Sequence, residues 1–141
     1  MAKKKRMIIT VAVITILAVI VIYMCIPKRI NSLYEGKTSD ITRVTVMLGG
    51  TGDIVVTKDQ NQIEEIAANF GKYKVHRKYI NEPRTGWSYT ITIYWGDVSQ
   101  TFTCIGKNTV RINGKVYVST GVDESIESIV HSWYQELADL E

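Results

Sequence analysis

Residues 7–26 read MIITVAVITILAVIVIYMCI, an apolar run without a single charge, and Lys3, Lys4, Lys5 and Arg6 stand directly before it. As a helix rising about 1.5 Å per residue, the run covers about 30 Å, the thickness of a bilayer's hydrocarbon core. The apolar part of a secretory signal needs only about 7 to 15 residues. The expected element is therefore a transmembrane helix, and everything else in the chain has to fold on one side of it.

Basic residues are retained on the cytoplasmic side of a span. Four precede the run, against Lys28 and Arg29 after it, so the N-terminus is expected inside and the C-terminal part outside the cytoplasm. Signal peptidase favours small residues in an A-x-A-like pattern, whereas this run ends in Tyr23, Met24, Cys25, Ile26 and Pro27. An uncleaved signal anchor is the expectation. Cys25 admits a lipoprotein reading, but Met24 sits where that pattern wants a small residue. The expected organisation is a basic cytoplasmic tail over residues 1–6, a single-pass anchor over 7–26, a tether over 27–40 and one extracytoplasmic domain over 41–141. Fully extended, the tether would reach about 45 Å, so the domain could rest on the membrane or stand off it.

The net charge of +3 belongs to the targeting signal. With the four residues before the span set aside, 13 of the 17 basic residues face 14 acidic ones, which removes any case for nucleic-acid binding. Cys25 and Cys104 are the only cysteines and cannot make a disulfide framework, so an exported domain must be held together by its core.

Residues 41–48 alternate Val44, Val46 and Leu48 with Arg43 and Thr45, as a half-buried strand does. A glycine-rich turn, Gly49 to Asp53, leads to a short strand over 54–57. Ile63, Ile66, Ala67 and Phe70 then recur at helical spacing, with Thr57 or Asp59 as N-cap and Gly71 as the stop. A strand with a basic face is expected over 72–79, then a loop over 80–86 containing Pro83. Gly96-Asp97 separates two strands, residues 87–95 and 98–105, as a two-residue hairpin turn. That register places Trp95 opposite Val98, Ile91 opposite Phe102 and Tyr89 opposite Cys104 on an apolar face, and Thr92 opposite Thr101 and Thr90 opposite Thr103 on the other. Gln100, opposite Ile93, interrupts the apolar face. Asn113-Gly114 marks a second tight hairpin. From about Asp123, Ile126, Ile129, Val130, Trp133, Leu137 and Leu140 form the stripe of a last helix, with Asp123, Glu124 and Glu127 at its first turn. The expected domain is α+β: one antiparallel sheet of about six strands with both amphipathic helices on one face.

At GWSYTITIYW and KNTVRINGKVY the chain resembles the small, N-terminally anchored single-domain proteins of Gram-positive anaerobes, most of them of unknown function. The resemblance implies an extracytoplasmic location and a compact α+β domain. It carries no catalytic residues and no ligand with it.

No residue pattern points to chemistry. Gly49 to Asp53 lacks the Lys-Ser/Thr pair of a phosphate loop and joins two strands. His76 and His131 have no second ligand at metal spacing. Cys104 falls on an apolar face, where a thiol behaves as a small hydrophobe and not as a nucleophile paired with a histidine. Glu64, Glu65, Glu136 and Asp139 read as solvated helix charges. Trp87, Tyr89 and Trp95 read as core more than as a sugar-stacking strip, with Trp87 nearest the surface. No catalytic, metal or cofactor residues are assigned. The candidate binding surface is Lys72, Lys74, Arg77 and Lys78 with Trp87, set against a segment from Asp123 onward that is acidic and has no Lys or Arg. Its expected partners are the membrane itself, anionic envelope polymers, lipid headgroups or an acidic protein. The expected function is a non-enzymatic binding or shielding module at the cell surface. The alternatives are an accessory subunit of a membrane complex and an envelope hydrolase.

Overall fold

The structure is a computed structural model that describes residues 2–78, 88–119 and 124–140. It opens with helix α1 (Ala2–Cys25), which is long and apolar enough to cross a membrane. None of its side chains is buried by the rest of the chain.

The sheet begins almost at once. Strand β1 (Lys28–Arg29) is followed by β2 (Arg43–Leu48), β3 (Ile54–Thr57), β4 (Lys74–Arg77), β5 (Tyr89–Trp95), β6 (Val98–Gly106), β7 (Thr109–Ile112) and β8 (Lys115–Ser119). All pairings are antiparallel, in the spatial order β1-β4-β8-β7-β6-β5-β2-β3. Eight strands therefore replace the expected six or so, and one of the additions lies inside the stretch read as a tether.

Both hairpins form where their turn residues require them. Gly96 takes φ +62° at the first turn position, a type II′ arrangement, and β5 pairs with β6 in the register read from the sequence. Asn113 and Gly114 take φ +52° and +75°, the type I′ signature, joining β7 to β8. Val98 departs from the apolar role expected opposite Trp95, because its place beside the turn leaves it 54 % exposed.

Helix α2 (Gln60–Gly71) starts at Asp59, whose carboxylate accepts from the Gln62 N–H at 3.2 Å, and runs over the sheet between β3 and β4. Helix α3 (Ile126–Leu140) contacts β2, β3, β5 and β6. The two helices meet through Phe70 and Trp133, whose ring centres are 6.1 Å apart, and Phe70 also meets Phe102 of the sheet edge-on at 5.3 Å. Ile63, Ile66, Ala67, Ile126, Val130 and Leu137 join the inward residues of the strands in one core. Leu140 does not, since the helix end carries it past the sheet into solvent. The loop expected over 80–86, Tyr79 and Asp123 lie outside the described residues.

The layer over the sheet is not made by helices alone. Two short 3-10 turns, Ile30–Leu33 and Thr38–Asp40, fill the rest of it. Ile30 is fully buried, its N–H donates to the Tyr73 carbonyl at 2.9 Å, and the Tyr34 ring lies edge-on to Phe102 at 5.7 Å. The Tyr34 hydroxyl donates to the Ala67 carbonyl of α2 at 2.9 Å. Residues 28–40 are thus a folded part of the domain, because their apolar side chains complete a core that the two helices leave open. The far face of the sheet also differs from a simple polar one. It carries the threonines as expected, but Thr90 is 8 % exposed and Val116 2 %, so its middle is closed.

Candidate functional site

Six of the domain's cations gather at one sheet edge. Strands β1, β4 and β8 contribute Lys28, Arg29, Lys74, Arg77 and Lys115, and Lys78 follows β4; these three strands hold no acidic residue. Alternation divides the cations between the two faces. Arg29 pairs with Lys74 on the far face, and Lys78 continues that side while its N–H donates to the Val116 carbonyl at 2.8 Å. Lys28 pairs with Val75, Arg77 pairs with Tyr117, and Lys115 lies two residues from Tyr117, all on the other face. On that side Lys28, Val75, Arg77, Lys115 and Tyr117 line a cleft of about 130 Å³ together with Tyr23, Met24 and Ile26 from the end of α1. The Lys28 ammonium sits 5.3 Å from the centre of the Tyr23 ring, within cation–π range.

The surface expected from the sequence is therefore only partly assembled. Lys72 is not in a strand: it closes α2 in the right-handed helical region, and its N–H donates back to Ala68. It cannot share a strand face with Lys74 and Lys78. Lys74 and Lys78 do share the face of Thr92, Thr101 and Thr103, with Thr92 and Thr101 3.4 Å apart through their hydroxyls. Thr90 is too buried to join a binding surface. Arg77, grouped with the lysines in the candidate surface, is half-buried on the opposite face, where strand alternation puts it, and Trp87 lies outside the described residues. Lys28 and Lys115 were not legible as site residues, since one reads as a flank of the span and the other as the end of a hairpin turn. The useful signal was the absence of acidic residues from both neighbouring segments.

A second cluster lies under α3. Tyr89 and Cys104 face each other across β5 and β6, and the Tyr89 hydroxyl hydrogen-bonds His131 Nδ1. Burial, helped by the Glu127 carboxylate, pushes the Cys104 thiol up from 9.0 to about 12. Burial also raises Tyr89, with Glu127, Tyr134 and Cys104 adding to it. A thiol held in this way stays protonated at neutral pH and is a poor nucleophile. His131 is exposed on the outward side of α3, where the Tyr89 hydroxyl meets it. Among the described residues, no three His, Cys, Asp or Glu side chains gather as metal ligands would. Compared with known proteins, the chain matches no family model, no curated protein and no solved structure.

Proposed function

We propose that this is a single-pass membrane protein, N-terminus cytoplasmic, whose extracytoplasmic domain is a non-enzymatic module applied to the anionic membrane surface through its basic sheet edge. The observation that carries this reading is the spacing between anchor and sheet: α1 ends at Cys25 and β1 starts at Lys28. Two residues leave no slack. With α1 in a bilayer, β1, β4 and β8 lie at headgroup level, and Lys28, Arg29, Lys74, Lys78 and Lys115 face lipid phosphates. The acidic side chains Glu127, Glu136 and Asp139 ride on α3, over the half of the sheet remote from that edge. Edge to edge, eight strands span about 33 Å, several times the screening length of about 8 Å at physiological salt. The domain's charge asymmetry therefore favours the attitude that the short connection enforces. The protonated, buried Cys104 supports the non-enzymatic part of the reading.

Two measurements test it. Protease added to intact cells should remove the domain and leave a small membrane fragment; protection of the C-terminus would reverse the orientation. In liposomes, a fluorophore near β8 should lie at headgroup depth in anionic bilayers, and serine at Lys28, Lys74, Lys78 and Lys115 together should loosen that contact and its salt dependence. A probe depth that is unaffected by lipid charge, salt and these substitutions would refute the surface contact.

A further inference from the structure

The cations on the α1 side of the edge do more than add to a diffuse charge. They surround a cleft whose floor and walls are of two kinds. Tyr23, Met24 and Ile26 supply an apolar wall continuous with the span, Lys28, Arg77 and Lys115 supply the charge, and Val75 and Tyr117 complete the lining. Its volume of about 130 Å³ has room for several water-sized groups. Its depth follows from the span: the apolar run ends at Ile26, so the apolar wall lies at the edge of the hydrocarbon and the cations just above it. Tyrosine at this level is also what an interface favours, an apolar ring with a polar tip.

From this juxtaposition we infer that the cleft between the end of α1 and strands β1, β4 and β8 is a binding site for one anionic glycerophospholipid of the outer leaflet. The phosphate lies among Lys28, Arg77 and Lys115, and the first acyl carbons run down past Met24 and Tyr23. The inference rests on the membrane placement proposed above and goes further by making contact stoichiometric and local. Lys74 and Lys78, on the other face of the same edge, attract an anionic surface equally well by charge alone, yet they do not line the cleft.

That contrast supplies the test. The full-length chain is purified in a neutral detergent, and phosphatidylglycerol retained per protein is measured by extraction and mass spectrometry. Lys28→Gln with Lys115→Gln removes two cleft cations, and Lys74→Gln with Lys78→Gln removes two from the far face. The expected result is about one lipid per protein in the unaltered chain, a loss of fivefold or more in the first variant and little change in the second. Lys115→Gln alone serves as a third variant that leaves β1 untouched, with a smaller loss in the same direction; the lipid-free Tm of each variant reports folding. Added phosphatidylglycerol should raise the Tm of the unaltered chain, while glycerol 1-phosphate and phosphatidylcholine should not. Equal losses in the two double variants would overturn the cleft and leave a diffuse basic edge. No loss in either would overturn the basic edge as well, and an equal response to glycerol 1-phosphate would make the ligand a free phosphate ester.

Discussion

One side-chain amide makes two of the bonds that hold residues 33–35 against the sheet. Gln100 breaks the apolar pattern of β6 and is 3 % exposed, yet it is fully employed: its Oε1 accepts from the Glu35 N–H at 2.9 Å and its Nε2 donates to the Leu33 carbonyl at 2.7 Å. Replacing it by leucine keeps the volume and strands both backbone groups, so Gln100→Leu should cost about 1–3 kcal/mol. Denaturant unfolding measures the loss, and faster exchange of the Glu35 amide locates it. Cys104 has a different consequence. Its thiol keeps its proton in the fold up to about 12, while the unfolded chain releases it from about 9 upward. Folding therefore has this group's full contribution below pH 9 and loses it progressively as pH rises toward 12. Cys104→Ala should cost about 1–2 kcal/mol at neutral pH, from a small cavity, and should flatten part of the alkaline fall in Tm. Tyr34, Tyr73 and Tyr89, which burial also raises, add to that fall. Parallel curves for the two proteins between pH 8 and 11 would contradict the assignment.

The elements differ in how local their causes are. Each hairpin is closed by its own turn, and α2 by its own cap, so a few adjacent residues suffice to read them. The turn Ile30–Leu33 owes its place to distant partners. Its Asn31 lies so near α2 that a Cβ built on Gly71 would come within 2.7 Å of the Asn31 Cβ. At an unencumbered helix end of ordinary φ, alanine for glycine gains about 0.4–1 kcal/mol. Here Gly71→Ala should instead lose about 1–3 kcal/mol by overpacking, and Asn31→Gly in the same chain should recover part of it. A thermal melt of the single and double variants decides the sign. The Trp95 indole shows the same closeness, donating to the Lys37 carbonyl at 2.8 Å with Gly36 directly beneath its ring.

At the scale of the whole molecule, the domain begins where helix α1 stops. A chain started at residue 27 should unfold cooperatively, whereas one started at residue 41 lacks β1, Ile30 and Tyr34 and should lose several kcal/mol or fail to fold, since removing one buried isoleucine alone costs about 2–5 kcal/mol. Equal Tm values for the two would restore the tether. The amino-acid sequence by itself determined the long apolar helix α1, the register of β5 with β6, both hairpin turns and the stripes of α2 and α3, because each follows from spacing and turn chemistry within a few residues. It also placed Cys104 on a buried face. Only the tertiary structure decided that residues 28–40 are part of the core and that β1 pairs with β4, contacts between residues far apart in the chain that leave no periodic trace in a two-residue strand. The same holds for the basic cleft. Lys28, Arg77 and Lys115 come from three separate segments and share a face only because β1, β4 and β8 lie side by side, whereas Lys72, close to Arg77 in sequence, is turned away by the end of a helix.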